Sequence, residues 1–83
     1  MSQTGELILM VVNARNQSEK LAHVSVEANG QIKLTNDQGI VNFFPDFPVN
    51  VKIRTPGNIY EPFTGSFNSP GIYTIQLKGG FAF

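Results

Sequence analysis

The sequence predicts an all-β fold, a β-sandwich built from about seven short strands. Apolar and polar residues alternate with a period of two in several stretches, whereas helical periodicity is nearly absent. Turn-forming residues separate these stretches. They occur at Asn29-Gly30, Asp37-Gln38-Gly39, Pro56-Gly57-Asn58 and Ser69-Pro70-Gly71.

Length and composition restrict the classes of protein that fit. The 83 residues are expected to form one sandwich domain over residues 1–78, followed by an aromatic tail at 79–83. The absence of cysteine excludes disulfides and favours a reducing compartment. Six basic and six acidic residues are scattered along the chain, which argues against a nucleic-acid partner.

The N-terminal region carries no sign of export or membrane insertion. The apolar run at 7–12 is too short for a membrane span, and no positively charged segment precedes it. We therefore expect a protein that is made in the cytoplasm without a signal peptide and has no membrane partner.

The alternating stretches define the expected strands in chain order. Segment 16–23 is the one helical candidate, and it is too short and polar to hold more than one turn. The expected strands lie near residues 7–12, 24–28, 32–34, 41–43, 49–53, 63–67 and 73–77.

The hairpin around Asn29 has two candidate registers. A two-residue Asn29-Gly30 turn would place the valines before it opposite polar residues. A loop of three residues would instead pair Ala28 with Ile32. Because a slip of one residue turns a strand inside out, the apolar pattern favours the longer loop, or a strand that crosses to the second sheet.

The first strand is apolar on both of its faces. Leu7, Leu9 and Val11 alternate with a second apolar set formed by Ile8, Met10 and Val12. A sandwich strand normally shows one face to water. The second set is therefore either covered by the same chain or placed against another molecule.

The stretch TNDQG at residues 35–39 could be a ligand loop or a turn. A calcium loop needs several acidic or amide groups at alternate positions, and Asp37 is its single carboxylate. Asp and Asn side chains cap tight turns, and glycine takes the positive φ that such turns require. The stretch is therefore predicted to be a corner.

The sequence offers no catalytic, cofactor-binding or metal-ligating set. His23 is the sole histidine, and neither a catalytic triad nor a zinc site can be built on it. Ser66 and Ser69 lie in no nucleophile-elbow pattern. Asp46 and Glu61 read as two solvated charges. We expect a surface histidine, no cofactor and no enzymatic activity.

The last five residues, GGFAF, form an unusual end. Phe81 and Phe83 alternate around an alanine after two glycines. Free phenylalanines at a terminus would reduce solubility, so the tail should either cover the outer face of the first strand or insert into a neighbouring subunit.

Several segments together resemble the carboxypeptidase regulatory-like, or prealbumin-like, β-sandwich domains. The family's turn motif is matched with Asn36 inserted after its threonine, and the segment FPDFPVNV replaces the usual Leu-Pro-x-Gly-x-Tyr. The matching positions are Leu21, Val24, Val26, Thr35, Asp37, Gly39, 41–43, Val49, Val51, Ile53, Gly57 and Tyr60.

This resemblance implies a seven-stranded Greek-key sandwich of the Ig-like or prealbumin-like kind. It also implies no conserved catalytic residues, because such domains serve as modules for binding, spacing or assembly. The resemblance carries fold further than function.

Taken together, these features predict a non-enzymatic structural or assembly protein that acts through protein–protein contacts. The concrete expectation is a bacteriophage virion component, either a capsid decoration protein or a tail or baseplate accessory. Its partners would be capsid or tail proteins, or further copies of itself. The expected contact residues are Ile8, Met10, Val12, Phe81 and Phe83.

A ligand-binding or adhesion module is the alternative, with carbohydrate as the candidate ligand. Its site would be built from the loop residues Asp46, Asn58 and Tyr60.

Overall fold

The structure is a computed structural model, and it describes residues 3–79 of the chain. The described chain contains ten strands and a short 3-10 helix at Pro56–Asn58. The strands are β1 (Gln3–Thr4), β2 (Leu7–Asn13), β3 (Asn16–Lys20), β4 (Ser25–Ala28), β5 (Gln31–Leu34), β6 (Ile40–Phe43), β7 (Asp46–Phe47), β8 (Val49–Arg54), β9 (Phe63–Phe67) and β10 (Gly71–Leu77).

Two larger sheets and one small one organise these strands. In the first, here named the β2 sheet, β10 runs parallel to β2 along its whole length. β6 and β3 pair antiparallel with successive parts of β2, so they share its other edge. The second, the β4 sheet, has the order β5-β4-β8-β9. β1 and β7 form a separate antiparallel pair.

The core lies between the β2 sheet and the β4 sheet. Buried side chains from both sheets form one cluster, which confirms the predicted all-β, sandwich-like fold. Its members are Leu7, Leu9, Val11, Leu21, Val24, Val26, Ala28, Val41, Phe43, Phe47, Val49, Val51, Ile53, Ile75 and Leu77.

All of the expected strands are present, and three short ones were missed. The expected strands correspond to β2, β4, β5, β6, β8, β9 and β10. β1, β3 and β7 were not predicted. β3 occupies most of the segment considered as a helical turn, and all five of its residues are exposed. A strand without a buried face leaves no apolar alternation to detect.

The predicted register of the β4–β5 hairpin is wrong. Ala28 pairs with Gln31, so the connection is the two-residue turn Asn29-Gly30. Both turn residues have positive φ, 50° and 82°, as a hairpin turn of the Asn-Gly type requires. The outward-facing Ile32 and Leu34 are consequently 63% and 59% exposed. Turn chemistry outweighed the apolar pattern here.

The long side chain of Lys33 compensates for this register. It occupies the inward-facing position of β5 in which an apolar residue was expected. It faces inward on the edge strand β5, and its Nζ donates a hydrogen bond of 2.8 Å to the main-chain oxygen of Asn42 in β6. The same Nζ lies 5.2 Å from the ring centroid of Phe43. The apolar stem covers the core while the ammonium bridges the edges of the two sheets.

An aromatic pair performs the same task at the opposite edge, where β9 and β10 lie. The rings of Phe67 and Tyr73 are 4.5 Å apart between centroids, with an interplanar angle of 47°. The Tyr73 hydroxyl donates a hydrogen bond of 2.8 Å to the main-chain oxygen of Ser69. The pair therefore joins the two sheets and fixes the turn between their strands.

Thr35 anchors the connection that carries the chain from the β2 sheet to the β4 sheet. Its hydroxyl donates to the oxygen of Leu21 at 2.7 Å and accepts from the N–H of Val24 at 2.9 Å. The side chain is 1% exposed. Since water has no access, these two main-chain groups depend on this hydroxyl.

We expect Thr35→Val to lower the free energy of unfolding by about 2–4 kcal/mol, because it leaves a buried donor and a buried acceptor unpaired. Thr35→Ser, which keeps the hydroxyl, should cost clearly less. Urea unfolding followed by circular dichroism measures both. Equal losses for the two variants would show that the hydroxyl is not the anchor.

Candidate interaction surface and end cleft

The two faces of β2 lie in different environments. Leu7, Leu9 and Val11 are fully buried in the core. Ile8 and Met10 point to the outer face of the β2 sheet, where they are half-buried. They therefore remain available to a partner.

Val12 must be removed from the expected contact residues. Its side chain is 1% exposed, although it does not belong to the main core cluster. The prediction of a contact residue is wrong at this position, because a side chain without accessible surface offers nothing to a partner. For Val12, the alternative of burial within the same chain holds.

The strands beside β2 extend its outer apolar face. Ile72 of β10 pairs in register with Ile8, and Ile40 of β6 pairs with Met10. Residues paired in register point to the same side of a sheet. Ile72 is 71% exposed. The four residues Ile8, Met10, Ile40 and Ile72 are hereafter called the outer patch.

Polar groups border the outer patch on the side of β6 and β3. The amide Nδ2 of Asn42 donates a hydrogen bond of 3.1 Å to the Glu6 carboxylate. Lys20 Nζ lies 3.3 Å from the Met10 sulfur, so this side chain reaches back over the patch. An apolar centre with a polar rim is the usual organisation of a protein–protein contact.

Two of the four residues of the outer patch were not predicted from the sequence. Ile8 and Met10 were identified because they share one short apolar run, whereas Ile40 and Ile72 lie in other strands. Only the strand register shows that these four residues are neighbours, and no local pattern encodes that register. Phe81 and Phe83, the other expected contact residues, lie outside the described residues.

The stretch TNDQG is a turn, as predicted. Asn36 Oδ1 accepts hydrogen bonds from the N–H groups of Gln38 and Ile40, at 2.8 and 3.0 Å. Asp37 is exposed, and its carboxylate lies 3.9 Å from Nε2 of His23, which is also exposed. The expectation of a surface histidine is confirmed. Asn36 supplies the capping oxygen.

Gly39 closes this corner against β2. Its φ is 73°, and a Cβ built on it would lie 2.7 Å from the main-chain oxygen of Val11. Its own oxygen accepts a hydrogen bond of 2.8 Å from the N–H of Val11. Because only glycine permits both this backbone conformation and this approach, the corner is a structural device.

A cleft of about 450 Å³ opens at the end of the sandwich where β8 finishes. It lies between the β3–β4 connection and the segment that follows the 3-10 helix. Its lining is mainly apolar and includes Ala22, Pro56 and Ile59, with Glu19 and Tyr60 as polar groups. Ile59 is 55% exposed.

Tyr60 is held firmly at this cleft. Its N–H donates a hydrogen bond of 3.1 Å to the Thr55 hydroxyl, and its backbone pairs with Gly79. Its own hydroxyl donates to Glu19 at 3.5 Å. Burial raises the pKa of the Tyr60 hydroxyl, and the negative charge and hydrogen bond of Glu19 raise that pKa further.

The three residues expected to form a ligand site do not come together. Asn58 ends the 3-10 helix two residues before Tyr60, so these two share one end of the sandwich. Asp46 lies in β7, just before β8 begins, and pairs with Thr4. The six residues of β8 separate the two ends by about 20 Å. Asp46 is therefore not part of the cleft.

Two features are absent from the part of the chain that the structure describes. Within it, no three His, Cys, Asp or Glu side chains are grouped so that they could hold a metal ion. Among the same residues, no helix is both long enough and apolar enough to cross a membrane.

Comparisons with known proteins inform the fold. No protein-family model matches the chain, and no curated protein matches it. Among solved structures it is similar to the Bacillus anthracis TIE protein, with a TM-score of 0.61 and 19% sequence identity. The match covers 92% of this chain and 17% of that one, so the chain spans a small part of the TIE protein. At this identity the likeness shows the fold alone.

Glu19→Gln is expected to lower the pKa of Tyr60, because it removes the carboxylate charge that disfavours the tyrosinate. The pKa should stay above its ordinary value, since burial, the larger cause, is unchanged. Titration of the tyrosine ring carbons by NMR measures this directly and separates Tyr60 from Tyr73. Glu27→Gln on the β4 sheet is the control, and an unchanged Tyr60 pKa in Glu19→Gln would contradict the contact.

Proposed function

We propose that this chain is a non-enzymatic β-sandwich module that acts in assembly, through protein–protein contacts made by the outer patch. The observation that carries the proposal is the side-by-side position of Ile72 and Ile8 on the outer face of the β2 sheet. Ile72 in particular is 71% exposed.

The energetics of the outer patch favour a contact. Single exposed aliphatic residues are common on protein surfaces and carry little information. In-register neighbours on adjacent strands of one sheet face are different, because one partner can desolvate them together. Each aliphatic side chain that becomes fully buried contributes about 1.5–3 kcal/mol. Two or three such residues supply the apolar centre of a specific contact.

The proposal extends to a finer description of the fold. We assign the chain to the Ig-like or prealbumin-like Greek-key sandwiches, with β2, β4, β5, β6, β8, β9 and β10 as the seven main strands. The support is the connectivity, since the chain changes between the two larger sheets four times: between β3 and β4, between β5 and β6, between β6 and β8, and between β9 and β10. β1, β3 and β7 would be short additions.

The setting that we propose is a bacteriophage virion, with the protein as a capsid decoration or a tail or baseplate accessory. The support for this setting is the net charge of zero, the absence of cysteine and the apolar residues that suit a contact with another protein. Phe81 and Phe83 are proposed as a second contact element, on the basis of the sequence. The occurrence of a similar fold as a small part of a longer chain supports its use as a module.

Ile72→Lys is expected to weaken binding to the chain's partner at least about tenfold, because a charge replaces an apolar side chain of the contact. Candidate partners are the protein products of the genes that flank its own, with binding measured by surface plasmon resonance. The same flanking genes test the virion setting, since structural genes of a phage should surround this one.

Ile32→Lys is the matched control. Ile32 is also an exposed isoleucine, at 63%, but it lies on the outer face of the β4 sheet. The same substitution is therefore tested away from the outer patch. Binding should be unaffected by it. Equal loss of binding in both variants, or none in Ile72→Lys, would contradict the role of the outer patch.

A ligand-binding or adhesion module is the second candidate function, and the end cleft favours it. Its volume of about 450 Å³ lies within the range of small-molecule sites. An aromatic ring beside a carboxylate, as at Tyr60 and Glu19, offers a sugar both a stacking face and a hydrogen-bond acceptor. Carbohydrate is therefore the ligand class that we assign to this alternative.

Tyr60→Ala should abolish binding on a glycan array if this second function holds, whereas Tyr60→Phe should retain most of it because the ring remains. Thermal unfolding of both variants checks that the fold is intact. An array on which the unaltered protein gives no signal would contradict the carbohydrate assignment.

A further inference from the structure

We propose that the partner of the outer patch is a second copy of this chain. The two copies would pack face to face through their β2 sheets, with β2 antiparallel to β2 of the partner subunit. This inference rests on the proposed function, and it adds the identity of the partner and the orientation of the contact.

The inference is based on two charged side chains on the outer face of the β2 sheet. Glu6 immediately precedes β2, and its carboxylate is bound by the outward-facing Asn42. Lys20 pairs with Val12 near the other end of β2, and its ammonium contacts the outward-facing Met10. A negative charge at the start of β2 and a positive charge beside its middle therefore follow one another along the same strand.

Both charges border the same long side of β2. Asn42 belongs to β6 and Lys20 belongs to β3, and these two strands share the edge of β2 that faces away from β10. The charge on the outer face therefore changes from negative to positive along the direction of β2. Across the strand, both charges lie on one side.

A twofold axis that lies between two such faces, across β2 and between Ile8 and Met10, satisfies this arrangement. It reverses the strand direction but keeps the β6 and β3 side over the same side of the partner. Glu6 then faces Lys20 of the partner subunit, and Lys20 faces Glu6 of the partner subunit. Ile8 packs on Met10 of the partner subunit. A twofold axis along β2 would instead place the charged side of one copy over the β10 side of the partner subunit, so that neither charge meets its complement.

The two groups are available for this pairing. Among the residues that the structure describes, neither Glu6 nor Lys20 takes part in an ion pair; their side chains contact an amide and a thioether. The formal net charge of the chain is zero, so two copies do not repel each other. A second copy supplies both complementary charges from one sequence, as an isologous contact requires.

The test is a charge exchange, with association measured by sedimentation velocity over a range of protein and salt concentrations. Glu6→Lys and Lys20→Glu each create two like-charge contacts and should weaken the dimer about tenfold at low salt. The double variant E6K/K20E restores opposite charges across the axis, so its dimer should match that of the unaltered protein. Both residues are exposed, so the fold should persist in all variants.

Several outcomes would overturn the inference. One is an unaltered protein that stays monomeric up to about 1 mM. Another is a dimer that neither single variant weakens, or that the double variant fails to restore. A monomer that binds a flanking-gene product through Ile72 would overturn this inference and leave the proposed function standing. A dimer that survives Ile72→Lys would count against both.

Discussion

The position of β2 at the centre of its sheet is the constraint on which the rest of the structure depends. β10 occupies one edge of this strand, and β6 and β3 occupy the other. Its inner residues Leu7, Leu9 and Val11 are fully buried, so this strand supplies the centre of the core on its side of the sandwich. The corner at Gly39 and the connection after β3 both bond to it, through the backbone of Val11. Alternation then obliges the intervening residues to face outward.

Closing a two-sheet structure requires contacts at its open edges, and the chain uses a different chemistry at each. Lys33 bridges β5 and β6 with an alkyl stem and an ammonium, whereas Phe67 and Tyr73 bridge β9 and β10 with two tilted rings in contact. An inward-facing lysine on an edge strand also discourages that edge from pairing with another chain. If the chain associates, a sheet face is thus a better candidate than this edge.

The outer patch and the end cleft represent two different uses of the same scaffold. The patch depends on rigid strands, because its residues are neighbours only while the register holds. The cleft depends on connections, one after β3 and one after β8, which are anchored by Thr35 and Thr55. The two sites adjoin at Lys20, which lines the cleft and borders the patch, whereas Ile72 belongs to the patch alone and Tyr60 to the cleft alone. The proposed functions can therefore be separated by substitution.

The sequence by itself determined the fold class, the main strands and the corner at residues 35–39, because alternation and turn chemistry act over a few neighbouring residues. It also grouped Ile8, Met10 and Val12 on one apolar face of the first strand, but it left open whether the same chain covers that face. Only the tertiary structure decided the hairpin register, where a positive-φ turn and the long reach of Lys33 outweighed the local pattern. Tertiary structure likewise buried Val12, placed Ile72 beside Ile8 and separated Asp46 from Tyr60. Pairing between distant strands sets each of these, and no short stretch of sequence contains that information.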